Sequence, residues 1–238
     1  MIPKIAEFQP NSMIEWEDRL AGLIILQGCN FRCPFCHSAK FIPPGDPETP
    51  VPWDVVRDRL ESDHDWIDGV VVTGGEPTIH ASLEELLREL REMEFDVKLD
   101  TNGSAPARVK RLVEDGLVQH VALDVKAPLT DEAYAISAGR EGWLAAIEEL
   151  LSWLKEGHVS YELRTTLFPL VFDDEEKVYD LAREISWATR WYIQGFRPVG
   201  CLDPALLELP ETDFNWLERV AAKCREIAPG AKLRGDGA

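Results

Sequence analysis

Along the chain, short unbroken apolar runs alternate with stretches whose apolar residues recur every three or four positions. That is the pattern of buried strands interleaved with amphipathic helices. Residues 21–27, 69–73, 97–101 and 118–125 are strand-like, 161–168 alternates apolar and polar positions, and 191–196 forms a sixth candidate strand. Helices are predicted between them. One starts near Trp53 and buries Val55, Val56 and Leu60; a second opens on a capping box at Ser82 and Glu85 and runs through Leu86, Leu87, Leu90 and Met93. Residues 106–114 form a third, with Gly116 as its stop. Most of 130–157 is helical, carrying Leu144, Ile147, Leu150, Leu151 and Leu154. Asp173, Asp174, Glu175 and Glu176 load acids onto the first turn of another helix, as the macrodipole favours, and 212–227 is the last. Residues before Ala21 are read as an irregular lead-in, because Pro3, Pro10, Asn11 and Ser12 discourage a long element. The prolines of 42–52 stop any helix there.

Six β-α units without interruption imply a parallel sheet with right-handed crossovers. Six are too few for a full eight-stranded barrel, so the expected fold class is α/β, a partial (β/α)6 TIM-type barrel. A single domain over 1–238 is expected, with a core at about 20–200 and a C-terminal helical extension at about 205–238. In barrels of this type chemistry sits at the C-terminal ends of the strands. Every unusual residue group falls there: Cys29, Cys33 and Cys36 after the first strand, Gly74, Gly75 and Glu76 after the second, Asp100 and Thr101 at the third, Asp124 and Lys126 at the fourth, and Arg164 on the fifth.

Three cysteines within eight residues, in a loop that also carries Arg32 and Pro34, do not read as core residues. A shared soft ligand is the economical explanation. Structural zinc would need a fourth ligand, from His37, Cys201 or Cys224. Cys33-Pro34-Phe35-Cys36-His37 also fits the haem c attachment pattern, which requires export and leaves Cys29 idle. A [4Fe-4S] cluster held by three thiolates would keep one iron open for a substrate. Residues 1–10 show no basic segment followed by an apolar one, so no secretory signal is expected.

The chain has 238 residues, 45% of them hydrophobic, and a formal net charge of −18. Such a field repels polyanions, and Lys and Arg are scattered among acids, so a nucleic-acid partner is disfavoured. No apolar run approaches the ~20 residues that span a bilayer, so no membrane association is expected. Five cysteines, three of them clustered, argue against a disulfide framework and fit a reducing cytoplasm.

The cysteine string, with Phe35 before the third Cys, resembles the signature of radical S-adenosylmethionine (SAM) enzymes. The resemblance implies the radical SAM fold and a [4Fe-4S] cluster on Cys29, Cys33 and Cys36, whose fourth iron chelates the amino and carboxylate groups of SAM. It implies that Gly74, Gly75 and Glu76 receive SAM and its amino group. Leu99-Asp100-Thr101-Asn102-Gly103 and Leu123-Asp124-Val125-Lys126 are similar to segments of glycyl-radical activases, which implies Asp100, Thr101, Asp124 and Lys126 around the sulfonium and methionine end. Arg164, in Arg164-Thr165-Thr166, is expected at the SAM carboxylate. No side chain is assigned to the chemistry itself.

Over most of its length the chain resembles the activating protein of anaerobic (class III) ribonucleoside-triphosphate reductase. The implied reaction is reductive cleavage of SAM and formation of a glycyl radical on that reductase or another glycyl-radical enzyme, with flavodoxin or ferredoxin as electron donor. The rival expectation is a radical SAM enzyme acting on a small molecule, in the manner of 7-carboxy-7-deazaguanine synthase. His37 is expected to be a loop hydrogen-bonder, and Cys201 and Cys224 to be unligated.

Overall fold

The computed structural model describes residues 2–43 and 47–234. The helix-stopping reading of Pro44, Gly45 and Asp46 therefore lies outside the described residues. Among the described residues eight strands follow one another in chain order through the sheet, β1 (Ile5–Ser12), β2 (Ala21–Leu26), β3 (Gly69–Gly74), β4 (Asp96–Thr101), β5 (His120–Asp124), β6 (Ser160–Leu167), β7 (Trp191–Gly195) and β8 (Ala231–Leu233). Seven α-helices lie among the described residues: α1 (Trp53–Ser62), α2 (Leu83–Glu92), α3 (Pro106–Glu114), α4 (Asp131–Ala138), α5 (Leu144–Lys155), α6 (Glu175–Glu184) and α7 (Phe214–Ile227). The six expected strands are β2 to β7, and the sequential order is that of a partial (β/α)6 barrel. None of the described helices is long and apolar enough to cross a membrane.

Two compact units divide the chain. Among the described residues the first comprises 2–30, 40–43, 47–101 and 105–122. In it β2 pairs parallel with β3 and β3 with β4, and β2 is buried at every position, as its unbroken apolar run requires. Residues 5–12, expected to be irregular, instead form β1, antiparallel to β2. The strand tolerates Pro10 because it lies at the sheet edge, and two register shifts absorb its irregular residues. Helix α1 buries Val56 and Leu60 as expected, but Val55 points to solvent at 54% exposure. Ser82 precedes α2 with ψ 14° and makes no side-chain cap, so the capping box is absent although the helix forms. There the apolar face, Leu83, Leu86, Leu87 and Leu90, is sufficient.

Among the described residues the second unit comprises 31–39, 102–104 and 123–234. Strands β6, β7 and β8 pair parallel. The helical stretch at 130–157 is two helices, since Gly139 takes a left-handed conformation at φ 66° and ends α4. Thr130 caps α4 by accepting from the amide of Ala133, and Asp174 caps α6 through the amide of Glu176. The segment after 205 carries β8 as well as α7, a strand too short to stand out in the sequence.

Candidate functional site

In the first unit, Gly28 and Cys29 leave β2 and are tied to the chain after the cysteine loop by the bonds Gly28 N–H to Phe41 O, 2.6 Å, and Cys29 N–H to Ile42 O, 3.3 Å. The turn after β3 lies directly on this backbone. Gly75 N–H donates to Leu26 O at 3.1 Å and Glu76 N–H to Gly28 O at 2.8 Å. A Cβ on Gly74 would lie 2.1 Å from Leu26 O, and one on Gly75 would lie 2.1 Å from Gly28 O. The paired glycines therefore serve a backbone crossing that no side chain fits, a reason for them distinct from the approach of a ligand expected from the sequence.

That crossing leads Glu76 into the interior. Its carboxylate is fully buried, and Oε1 accepts from Thr78 N–H at 3.1 Å, Thr78 Oγ1 at 2.6 Å and Thr101 Oγ1 at 2.9 Å. The structure thus brings Glu76 and Thr101 together, two of the nominated residues. Three donors on one oxygen hold the carboxylate in a fixed place and stabilise its charge. Asp100, the neighbour of Thr101 on β4, is buried at 6% exposure. Sequence reasoning missed Arg108 of α3, whose guanidinium donates to the carbonyls of Thr78 at 2.7 Å, His80 at 2.6 Å and Ala81 at 3.2 Å. It clamps the turn that carries Glu76, and nothing in a lone helical arginine signals this.

In the second unit, Cys33 and Cys36 occupy one turn, with Cys36 N–H donating to Cys33 O at 3.1 Å. Aromatic packing and backbone bonds seat the turn. Phe35 contacts Phe168 at 4.5 Å between ring centroids, Phe31 contacts Trp143 at 5.1 Å, and Arg32 N–H donates to Ala138 O at 2.7 Å. Gly139 is required beneath it, since a Cβ there would meet Arg32 O at 2.2 Å. His37 bonds through Nε2 to Arg197 O at 2.9 Å, as a loop hydrogen-bonder does. Asp203 N–H donates to Pro34 O at 2.9 Å. Cys224 is buried, and burial pushes its thiol up to about 12, which leaves it protonated and inert.

Beside the turn, Asp124, Lys126 and Arg164 form one ion cluster. Lys126 Nζ lies 2.9 Å from Asp124 Oδ2, Arg164 Nε 2.8 Å from Asp124 Oδ1, and Arg164 Nη1 3.9 Å from Glu162 Oε1. Strand register makes this possible: Val125 N–H donates to Arg164 O at 2.8 Å, which sets Arg164 opposite the end of β5. Burial alone would raise the Asp124 carboxyl, but Arg164 and Lys126 outweigh it and hold it well below the usual carboxylate range. For Lys126, burial would lower the ammonium, and Asp124 and the Cys33 sulfur outweigh it in the other direction. Burial raises the Cys36 thiol, and Lys126 opposes that by favouring its thiolate. Tyr134, buried near these groups, has its phenol raised chiefly by burial; it too escaped sequence reasoning.

The family model of the radical SAM superfamily matches residues 23–182. The chain belongs to the radical SAM superfamily. It is 30% identical over 220 residues to a Methanocaldococcus jannaschii protein provisionally named a glycyl-radical enzyme activating enzyme, and the match covers 89% of each. It is also 36% identical over 126 residues to 7-carboxy-7-deazaguanine synthase of Methanopyrus kandleri, a match that covers 45% of this chain and 49% of that protein. The Streptococcus suis SuiB structure bound to S-adenosylmethionine shares the fold at TM-score 0.64 and 16% identity; the match covers 87% of this chain but spans only 47% of SuiB.

Membership implies a [4Fe-4S] cluster and SAM. The donor chemistry here fits. Cys33 and Cys36 are two thiols on one turn, and the Lys126 ammonium opposes the burial that raises the Cys36 thiol. Among the described residues no three His, Cys, Asp or Glu side chains could share a single metal ion. A cubane makes a different demand, since each thiolate binds its own iron.

Proposed function

We propose that this radical SAM enzyme is an activase that generates a glycyl radical on anaerobic ribonucleoside-triphosphate reductase or a closely related glycyl-radical enzyme. The observation that carries the reading is the similarity to the Methanocaldococcus jannaschii activase-named protein over 89% of both chains. Cluster and SAM, when bound, would supply one-electron cleavage of the sulfonium and the radical that removes a hydrogen atom. The chain's own residues bind and orient. Cys29, Cys33 and Cys36 hold the cluster, and Lys126 offsets thiolate charge. Gly74, Gly75 and the preorganised Glu76 carboxylate receive the amino group of SAM. Asp100, Thr101 and the cluster of Asp124, Lys126 and Arg164 position its methionine end. Flavodoxin or ferredoxin supplies the electron.

The second reading, a small-molecule reaction, is favoured by the 36% identity to 7-carboxy-7-deazaguanine synthase, which covers less than half of the chain. Anaerobic incubation with dithionite, SAM and the reductase tests the two. A doublet from a glycyl radical in the electron paramagnetic resonance spectrum is expected. Rapid SAM cleavage without that doublet, together with turnover of a deazapurine precursor, would overturn the activase reading.

A further inference from the structure

Beyond the C-terminal ends of β5 and β6, the second unit carries a solvent-open cleft of about 610 Å³ between α4 and α6. Its apolar floor is made by Leu129, Ala133, Ile136, Leu170 and Val171. Leu170 is 54% exposed and Ile136 41%, so large apolar side chains of that floor stand open to water. A second hollow of about 680 Å³ shares Ile136 and Glu132 with the first and adds Asp131 and Glu141.

The charges around the floor are unbalanced. The two cations of the first cleft are already matched: Lys177 lies 2.6 Å from Asp173, just before the cap of α6, and Arg183 is bound to Asp180 and to Glu176 on its own helix. Against these two cations the hollows also hold Asp131, Glu132, Glu141 and Glu184, on both sides of Ile136, with Glu132 near enough to act on Lys177. Glu184 feels the deficit of cations, since partial burial and its neighbours Asp180 and Glu148 raise its carboxyl. An apolar floor with a surplus of negative charge is complementary to an extended segment that alternates apolar and cationic side chains. The loops that form one wall, 128–130 and 170–173, continue from the strand ends that carry Asp124 and Leu167.

We propose that the cleft between α4 and α6 docks a segment of the protein substrate that presents an apolar side chain next to Lys or Arg. The proposal rests on the reading that the substrate is a protein. Docking there gives the partner a foothold outside the cofactor residues, so affinity and chemistry are separable.

Two measurements on the full chain test it. In the first, fluorescence anisotropy follows a labelled Lys-Leu-Lys-Leu-Arg-Leu peptide and its Glu-Leu-Glu-Leu-Glu-Leu counterpart. The cationic peptide should bind, weaken with added salt, and lose at least tenfold in affinity with Leu170→Ser/Ile136→Ser or with Glu132→Lys/Glu141→Lys, while the acidic one should not bind. Equal binding of both peptides, no binding, or unchanged affinity in both variants overturns the proposal. In the second, the same variants are given the reductase. SAM cleavage without partner should match wild type, and the KM for reductase should rise at least tenfold with kcat retained; an unchanged KM overturns the proposal. If wild type fails to activate the reductase, the activase reading falls, and the peptide measurement still decides the cleft.

Discussion

Replacing Gly75 with Ala puts one methyl group into a place already filled by backbone. The added Cβ would stand 2.1 Å from Gly28 O, against the 3.0 Å below which real Cβ contacts essentially do not occur, so the turn must move by at least 0.9 Å. Neither side can yield by rotating a side chain, and the bonds from Gly75 N–H to Leu26 O and from Glu76 N–H to Gly28 O lie in the path. Forced repacking of this kind costs about 1–3 kcal/mol. In a chain of this size that lowers Tm by about 2–12 °C. The same displacement moves Glu76, and a misplacement of about 1 Å costs on the order of a hundredfold in rate, or about 2.7 kcal/mol. Gly116→Ala is the control: φ is +70° but nothing lies within 4 Å of its added Cβ, so it should cost only about 1–2 kcal/mol in stability and leave SAM binding intact. Calorimetry and equilibrium dialysis with radiolabelled SAM read the two effects. A Gly75→Ala protein that melts and binds SAM like wild type would refute the backbone-crossing argument.

After anaerobic reconstitution about four irons per chain are expected. Cys29→Ala, Cys33→Ala and Cys36→Ala should each abolish them, and Cys201→Ala and Cys224→Ala should not; stoichiometric zinc that depends on Cys201 would contradict this. Thr101→Val removes one of three donors to a buried carboxylate, a bond of about 1.5–3 kcal/mol to a charged group, and should weaken SAM binding about tenfold or more while the cluster remains; unchanged SAM affinity would separate Glu76 from the cofactor. Asp124→Asn should cost about 2 kcal/mol at neutral pH, less than a fully buried pair because a third of the side chain is exposed. Because its folded carboxyl is held low, Asp124 stabilises the protein above the unfolded value near 4 and loses that contribution as pH falls through the folded one. The urea midpoints of wild type and Asp124→Asn should therefore converge in acid, and a gap that widens there would sink the argument.

Much of the fold was legible because buried strands carry their signal locally. The run at β2 is buried at every position and that at β3 over its first four, and six residues bounded by loops are the length of a strand rather than of a helix. Strand β1 was not legible, since Pro10, Asn11 and Ser12 are turn-formers that an edge strand with register shifts tolerates. At Ser82 the residues of a capping box are present but the backbone is not extended there, so pattern and geometry part company. The cysteine spacing and the Gly-Gly-Glu turn stood out because unusual residues are close in sequence. The partners that hold them did not. Asp124 and Arg164 meet only through the register of β5 and β6, and Arg108 reaches the turn at Thr78 from a helix 30 positions later.

Isotope transfer tests the activase reading most directly. Reductase prepared with α-deuterated glycine is incubated anaerobically with the enzyme, SAM and reduced flavodoxin, and the 5′-deoxyadenosine formed is weighed by mass spectrometry. Incorporation of one deuterium, in step with glycyl radical yield, is the expected result. Unlabelled 5′-deoxyadenosine from a reductase that carries no radical would contradict the assignment of a protein glycine as the hydrogen donor.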